Sequence, residues 1–109
     1  MSLQALYAKE REGMETIEED HGFITYKALP EEYRIFDIYV LPEHRKSGLA
    51  SRMADQVVSL AKQNGCKIIT GSVDTRANGA TSSVKVLLAY GFKVLRTEGT
   101  MIYFLKEVS

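Results

Sequence analysis

Between Val40 and the apolar stretch starting at Leu49 the chain reads Leu41-Pro42-Glu43-His44-Arg45-Lys46-Ser47-Gly48-Leu49-Ala50. Arg45 and Lys46 supply two cations, while Gly48 and Ala50 keep bulky side chains away from any ligand that approaches the main chain. A helix starting at Ser47 would leave its first backbone N–H groups without intrahelical partners, and the positive end of its dipole would reinforce them. Such a terminus suits phosphate oxygens. The same residues also suit an ordinary helix start, with Arg45 and Gly48 only capping and solvating it. Neither Gly-x-x-x-x-Gly-Lys-Ser/Thr nor Gly-x-Gly-x-x-Gly occurs, so a pyrophosphate held here would belong to neither a nucleoside triphosphate nor a dinucleotide.

Asp37 is the one carboxylate inside the aromatic-rich run leading into this segment, and desolvation there can tune it toward general-base work. Strand alternation sets Asp37 with Ile35 and Tyr39, opposite Phe36, Ile38 and Val40, and leaves open which face meets a substrate. Glu31, Glu32 and His21 are expected in loops, and His44 on the surface beside the basic segment. Cys66 is the single cysteine, which excludes an internal disulfide and a multi-cysteine zinc cluster. At the head of an apolar strand it reads as a buried structural thiol.

The elements that must position these residues follow from periodicity. Leu3, Leu6 and Tyr7 predict a short helix over residues 3–12, stopped at Gly13. Met14 to Ile17 predicts a first strand, followed by the turn residues Asp20-His21-Gly22. Phe23–Leu29 and Tyr33–Val40 are β-branched and aromatic runs around Pro30-Glu31-Glu32 and predict an antiparallel hairpin, which Pro42 closes. From Ser47 to Asn64 an apolar stripe through Leu49, Met53, Val57 and Ala61 predicts a helix terminated by Gly65. Cys66–Val73 then reads as a strand reached by a long crossover, which favours parallel pairing. Thr81–Tyr90 predicts another helix, stopped by Gly91, and Phe92–Arg96 with Thr100–Lys106 a second hairpin. The expected fold is a single α/β domain over residues 1–109, with a mixed sheet of about six strands flanked by helices.

A chain of 109 residues with 45% apolar and 26% charged content has the makings of one ordinary globular core. It carries no run of about 20 apolar residues and no signal-peptide pattern, so the expected location is the cytoplasm, away from membranes. Formal charge is zero, yet residues 1–32 hold three basic and eight acidic side chains, and the remainder eleven and six. With no net positive charge and no long Lys/Arg run, nucleic acid is not the expected partner. The positive part suits an anionic ligand and the acidic part a cationic one, although a solvated helix and hairpin would read the same way.

Ile38-Tyr39-Val40-x-Pro42-x-x-Arg45-x-x-Gly48-x-Ala50 resembles the acetyl-CoA signature of the GNAT N-acyltransferases, whose core pattern is Arg/Gln-x-x-Gly-x-Gly/Ala. Leu87-Leu88-Ala89-Tyr90-Gly91-Phe92 resembles the family's later helix-to-strand corner, and the order of elements agrees from about Leu3 to Val108. The resemblance implies acetyl-CoA as co-substrate, with no metal, and direct transfer of the acetyl group to an amine: a small cation or a protein amino group. Cofactor contacts would come from Ile38, Tyr39 and Val40 for the pantetheine and from Arg45, Lys46, Ser47, Gly48, Leu49 and Ala50 for phosphate. A strand splayed from its neighbour would free the main chain of Ile38 and Val40. Leu87 stands where many members carry a leaving-group tyrosine, and Ala80 where many carry a cofactor-contacting asparagine. Asn78 is then a substitute cofactor contact or a helix cap, and Tyr90 and Asp37 the candidate acid and base. Leu87 and the short N-terminus also support the alternative of a non-catalytic acyl-CoA-binding or regulatory module. A homodimer would cover the sheet edge that the shortened start leaves exposed.

Overall fold

The computed structural model describes residues 13–108 together with Leu3 and Leu6. The helix expected over 3–12 lies outside the described residues except for Leu3 and Leu6, both helical. Six strands follow: β1 (Glu15–Glu19), β2 (Gly22–Ala28), β3 (Tyr33–Val40), β4 (Ile68–Asp74), β5 (Lys93–Glu98) and β6 (Met101–Glu107). Helix α1 (Leu49–Gln63) joins β3 to β4, and α2 (Ala80–Tyr90) joins β4 to β5. The sheet order is β1-β2-β3-β4-β6-β5, and β3/β4 is the parallel pair, as a helical crossover requires.

The α1 stripe works as its spacing implies: Leu49, Met53, Ala54, Val57 and Ala61 are buried against β2, β3 and β4. The helix ends in a Schellman turn, in which Cys66 N–H donates to the Ala61 carbonyl at 2.9 Å and Gly65 N–H to Lys62 at 3.1 Å, with Gly65 at φ 77°. That turn carries the chain on past Cys66, so β4 begins at Ile68 and not at Cys66. The thiol is buried beside the carbonyls of Leu29 and Pro30, each 3.6 Å from Sγ. Helix α2 closes in the same way: Gly91 takes φ 112°, and Phe92 N–H reaches back to the Leu87 carbonyl at 3.0 Å. Phe92 and Leu87 both pack into the core. The Gly-Phe corner is therefore a chain-reversal device, explained by packing without reference to chemistry.

Both helices lie on one face of the sheet. Tyr90 of α2 donates from its hydroxyl to Asp55 of α1, and residues of both helices line a shared apolar hollow over Ile38. Ile24, Tyr26, Tyr33, Ile35, Ile69 and Phe104 point into the core beneath them. Neither α1 nor α2 covers the opposite, open face, where Phe23, Asp37 and Tyr39 are exposed.

Alternation fails at one place in β3. Thr25 pairs with Asp37 but Tyr26 pairs with Ile35, so Phe36 is an extra residue, a β-bulge. Ile35 accordingly lies with Ile38 and Val40 on the helix face, whereas Asp37 and Tyr39 are exposed on the open face. The expectation that Asp37 shares a face with Ile35 is thus corrected, while its grouping with Tyr39 stands.

Candidate cofactor and acyl-transfer site

Strand β3 pairs with β4 only from Tyr33 to Ile35, opposite Ile69 to Gly71. Beyond that point β4 continues along β6 and β3 continues along β2, so the sheet forks. Leu41 N–H donates to the His21 carbonyl at 2.8 Å, which fixes the main chain of Asp37, Tyr39 and Leu41 toward β2. Because main-chain groups alternate sides along a strand, those of Ile38 and Val40 face into the fork. Gly22 permits the close pairing above the bulge, since a Cβ there would lie 2.4 Å from the Tyr39 carbonyl oxygen.

At the mouth of the fork a short 3-10 turn, Pro42–His44, leads into the basic segment. Lys46 adopts φ 65° and Gly48 φ 85°, and Gly48 is the N-cap of α1 with no side chain capping the helix. Among the described residues, the backbone N–H groups of Lys46, Ser47, Gly48, Leu49, Ala50 and Ser51 donate to no acceptor; the first engaged is Arg52, bonded to the Gly48 carbonyl at 3.0 Å. The start predicted at Ser47 moves to Leu49 because Gly48 turns left-handed. Side chains hold the loop without filling it. Ser47 Oγ donates to the His44 carbonyl at 2.5 Å and Arg52 Nη1 to the Ser47 carbonyl at 3.3 Å. Arg45 Nε donates to the Val40 carbonyl at 3.0 Å, with its guanidinium 5.8 Å from the Tyr39 ring centre. A row of unengaged amides beside two cations suits phosphate oxygens, and the edge of β3 at Ile38 and Val40, where Arg45 already holds the Val40 carbonyl, lies beside it in the fork.

The loop and the edge of Ile38–Val40 are thus brought together, but Tyr39 contributes its main chain to β2 and its ring to the open face. Leu49 is buried through its side chain and offers only its amide. Asn78 is exposed and does not cap α2, whose N-cap is Gly79; of its two expected roles, the cap is excluded because Gly79 takes φ 79° there. Asp37 and Tyr90 lie on opposite faces of the sheet. Tyr90 is held by Asp55, with the Lys106 ammonium 5.7 Å from its ring centre. Burial foremost, and then the bond to Asp55, push its phenol well above the usual range. Leu87 is buried in the apolar hollow with Ile38, Ala50 and Phe92. Asp37 accepts from Thr25 Oγ1 at 3.1 Å.

Sequence reasoning missed a set of neighbours on the open face. Phe23 stacks on Tyr39 with ring centres 5.8 Å apart, and His21 stacks on His44 at 3.6 Å, nearly parallel. Just past the end of β4, Arg76 donates to Asp74 through both its side chain and its amide, which holds that carboxyl at about 2.

The acetyltransferase (GNAT) family description matches residues 6–92, which include the loop, the fork and the Gly-Phe corner. The chain belongs to this family. No curated protein sequence matches significantly. Solved GNAT structures share the fold at low identity. An acetyltransferase from Desulfovibrio desulfuricans superposes with a TM-score of 0.73 at 19% identity, over 85% of this chain and 66% of its own. The PaiA N-acetyltransferase from Thermoplasma acidophilum, in complex with coenzyme A, gives 0.77 at 17%, over 96% of this chain and 68% of its own. A GNAT acetyltransferase from Elizabethkingia anophelis with acetyl-CoA bound gives 0.70 at 18%, over 95% and 79%. This chain spans 64% of the length of the Ard1 protein from Thermoplasma volcanium and 58% of that of a nourseothricin acetyltransferase. Among the described residues no helix is long and apolar enough to cross a membrane.

Proposed function

We propose that the protein is an acetyl-CoA-dependent N-acetyltransferase acting on an amine by direct transfer. The observation that carries this reading is the run of six unengaged amides from Lys46 to Ser51 at the mouth of a forked sheet. Those amides, with Lys46 and the outer guanidinium nitrogens of Arg45, would hold the diphosphate. Ile38 and Val40 would hold the pantetheine arm as if it were an added strand. When bound, the thioester supplies an acyl carbon open to attack.

Asp37 is the base of this reading. It stands just past the bulge, where a substrate on the open face meets the fork. An ammonium acceptor loses one proton to solvent through Asp37, and its neutral nitrogen then forms the new C–N bond. The C–S bond breaks, and the second nitrogen proton ends on the departing sulfur. The chain acts chiefly by holding the reactants in line. Tyr90 serves poorly as the acid, because its raised pKa and its bond to Asp55 both retain the proton. Leu87 offers no proton at all, so solvent is the expected donor.

Thermal unfolding with and without acetyl-CoA tests the cofactor site: a ligand at 100 times its dissociation constant adds about 2.7 kcal/mol. Gly48→Glu sets a carboxylate against the phosphates and is expected to remove that gain. An unchanged gain would refute the placement. Thiol release over a panel of amines then separates an enzyme from a non-catalytic acyl-CoA-binding module, the reading favoured by Leu87.

A further inference from the structure

The edge of β3 faces into the fork at Ile38 and Val40, yet one of its acceptors is already taken. Arg45 Nε donates to the Val40 carbonyl at 3.0 Å, so the guanidinium stands before the strand edge. Little else holds it there. The Tyr39 ring centre is 5.8 Å away, and the Arg45 N–H reaches the Pro42 carbonyl only at 3.4 Å. Among the described residues the arginine ion pairs are Arg34 with Glu32, Arg76 with Asp74 and Arg96 with Glu98, and none includes Arg45. A permanent cation with five N–H donors is poorly matched by one neutral carbonyl. Phosphate oxygens take the same donors in charge-assisted, often bidentate pairs. The six unengaged amides begin at the very next residue, Lys46.

We propose that Arg45 is a latch that makes this chain select thioesters carrying a diphosphate, a selectivity that rests on the acetyl-CoA reading above and goes beyond it. With no anion on the loop, Arg45 closes the strand edge at Val40. A carbonyl oxygen can accept twice, but this one points into the fork, where Arg45 and an added strand compete for one approach. A diphosphate on the amides of residues 46–51 draws the guanidinium to itself, because a charged acceptor binds it more strongly than the carbonyl does. Val40 is then released to the amide-bearing arm. The two halves of the ligand thereby assist each other, and by linkage each raises affinity for the other by the same factor. A thioester with the same arm but no phosphate meets the closed edge. Its apparent affinity is reduced to the fraction of molecules in which the latch is open, so a latch closed about 90% of the time imposes a loss of about tenfold. In the free protein the same contact covers an acceptor on an otherwise bare strand edge.

The test is calorimetric titration of the full chain, with S-acetylpantetheine as the phosphate-free thioester and inorganic pyrophosphate as the anion. In the parent, saturating pyrophosphate is expected to tighten S-acetylpantetheine by at least about fivefold, and S-acetylpantetheine to tighten pyrophosphate by the same factor. Arg45→Ala should bind S-acetylpantetheine at least about fivefold more tightly than the parent, with no further gain from pyrophosphate. A residue that only shaped the loop would weaken both ligands when removed. The Val40 carbonyl-carbon NMR signal reads the latch directly: pyrophosphate alone should move it in the parent toward the position it already holds in free Arg45→Ala. S-acetylpantetheine binding that ignores pyrophosphate, binding no tighter in Arg45→Ala, or a Val40 signal unmoved by pyrophosphate would each overturn the proposal. Failure of pyrophosphate to bind would do the same. If acetyl-CoA does not stabilise the parent and S-acetylpantetheine does not bind, the cofactor reading falls instead, and the response of Val40 to pyrophosphate still judges the latch.

Discussion

Gly48 and Lys46 both take the left-handed backbone, and only one of them is built for it. For a non-glycine residue that conformation costs about 1–2 kcal/mol, so Lys46 holds its cation at the loop against local strain. Lys46→Gly is therefore expected to leave stability unchanged or raise it by up to about 1 kcal/mol while weakening the gain from acetyl-CoA. Gly48→Ala should do the reverse, losing about 1–2 kcal/mol and keeping most of the ligand gain, because its Cβ would meet Arg52 Nη1 at an ordinary 3.5 Å. Denaturation with and without the thioester separates the two effects. Asp74 offers a test by pH. Its carboxyl is lowered to about 2, first by the side-chain hydrogen bond from Arg76, so its contribution is present above the ordinary value near 3.8 and fades as pH falls toward 2. Asp74→Asn should lower stability at pH 7 and converge with the parent near pH 2, as followed by urea unfolding across that range.

At the scale of elements, the sequence displayed α1 and α2 almost whole, because an apolar stripe with a glycine stop is a local signal. The loop to which the cofactor is assigned under this proposal was legible as a segment for the same reason, since Arg45, Gly48 and Ala50 are close in the chain. The open-face patch was not. Counting across a three-residue turn sets Phe23 opposite Tyr39, yet the turn holds four residues, and the Phe36 bulge then restores that pairing. Two departures of opposite sign cancel above the bulge and leave the strand below it shifted by one. The bulge itself is an outcome of tertiary packing that alternation does not encode. Gly22 ties this register to the site. Gly22→Ala forces a Cβ against the Tyr39 carbonyl, with an expected cost of about 1–3 kcal/mol. Displacement of Tyr39 and Val40 should also lessen stabilisation by acetyl-CoA, so the variant ought to lose in both the free and the ligand-bound melts.

Over the whole molecule, the uneven charge noted in the sequence maps onto distinct places: Glu15, Glu18 and Glu19 on β1 at one edge of the sheet, and Arg45 and Lys46 at the fork. The other edge is β5, exposed along all six residues, with Val94 and Leu95 each about half exposed. A bare strand of this kind invites pairing with another chain, and β5 resists it with a bulge at Leu95 and with the charges of Lys93, Arg96 and Glu98. Replacing Lys93 and Arg96 together by valine should produce growing particles in light scattering at concentrations where the parent stays monodisperse, with secondary structure initially intact. Resistance to association is thereby placed at one border of the sheet, and the proposed chemistry at the fork between β3 and β4 in its middle. In this arrangement β5 acts as a gatekeeper strand, whose bulge and charges are expected to set the concentration at which copies of the chain begin to associate.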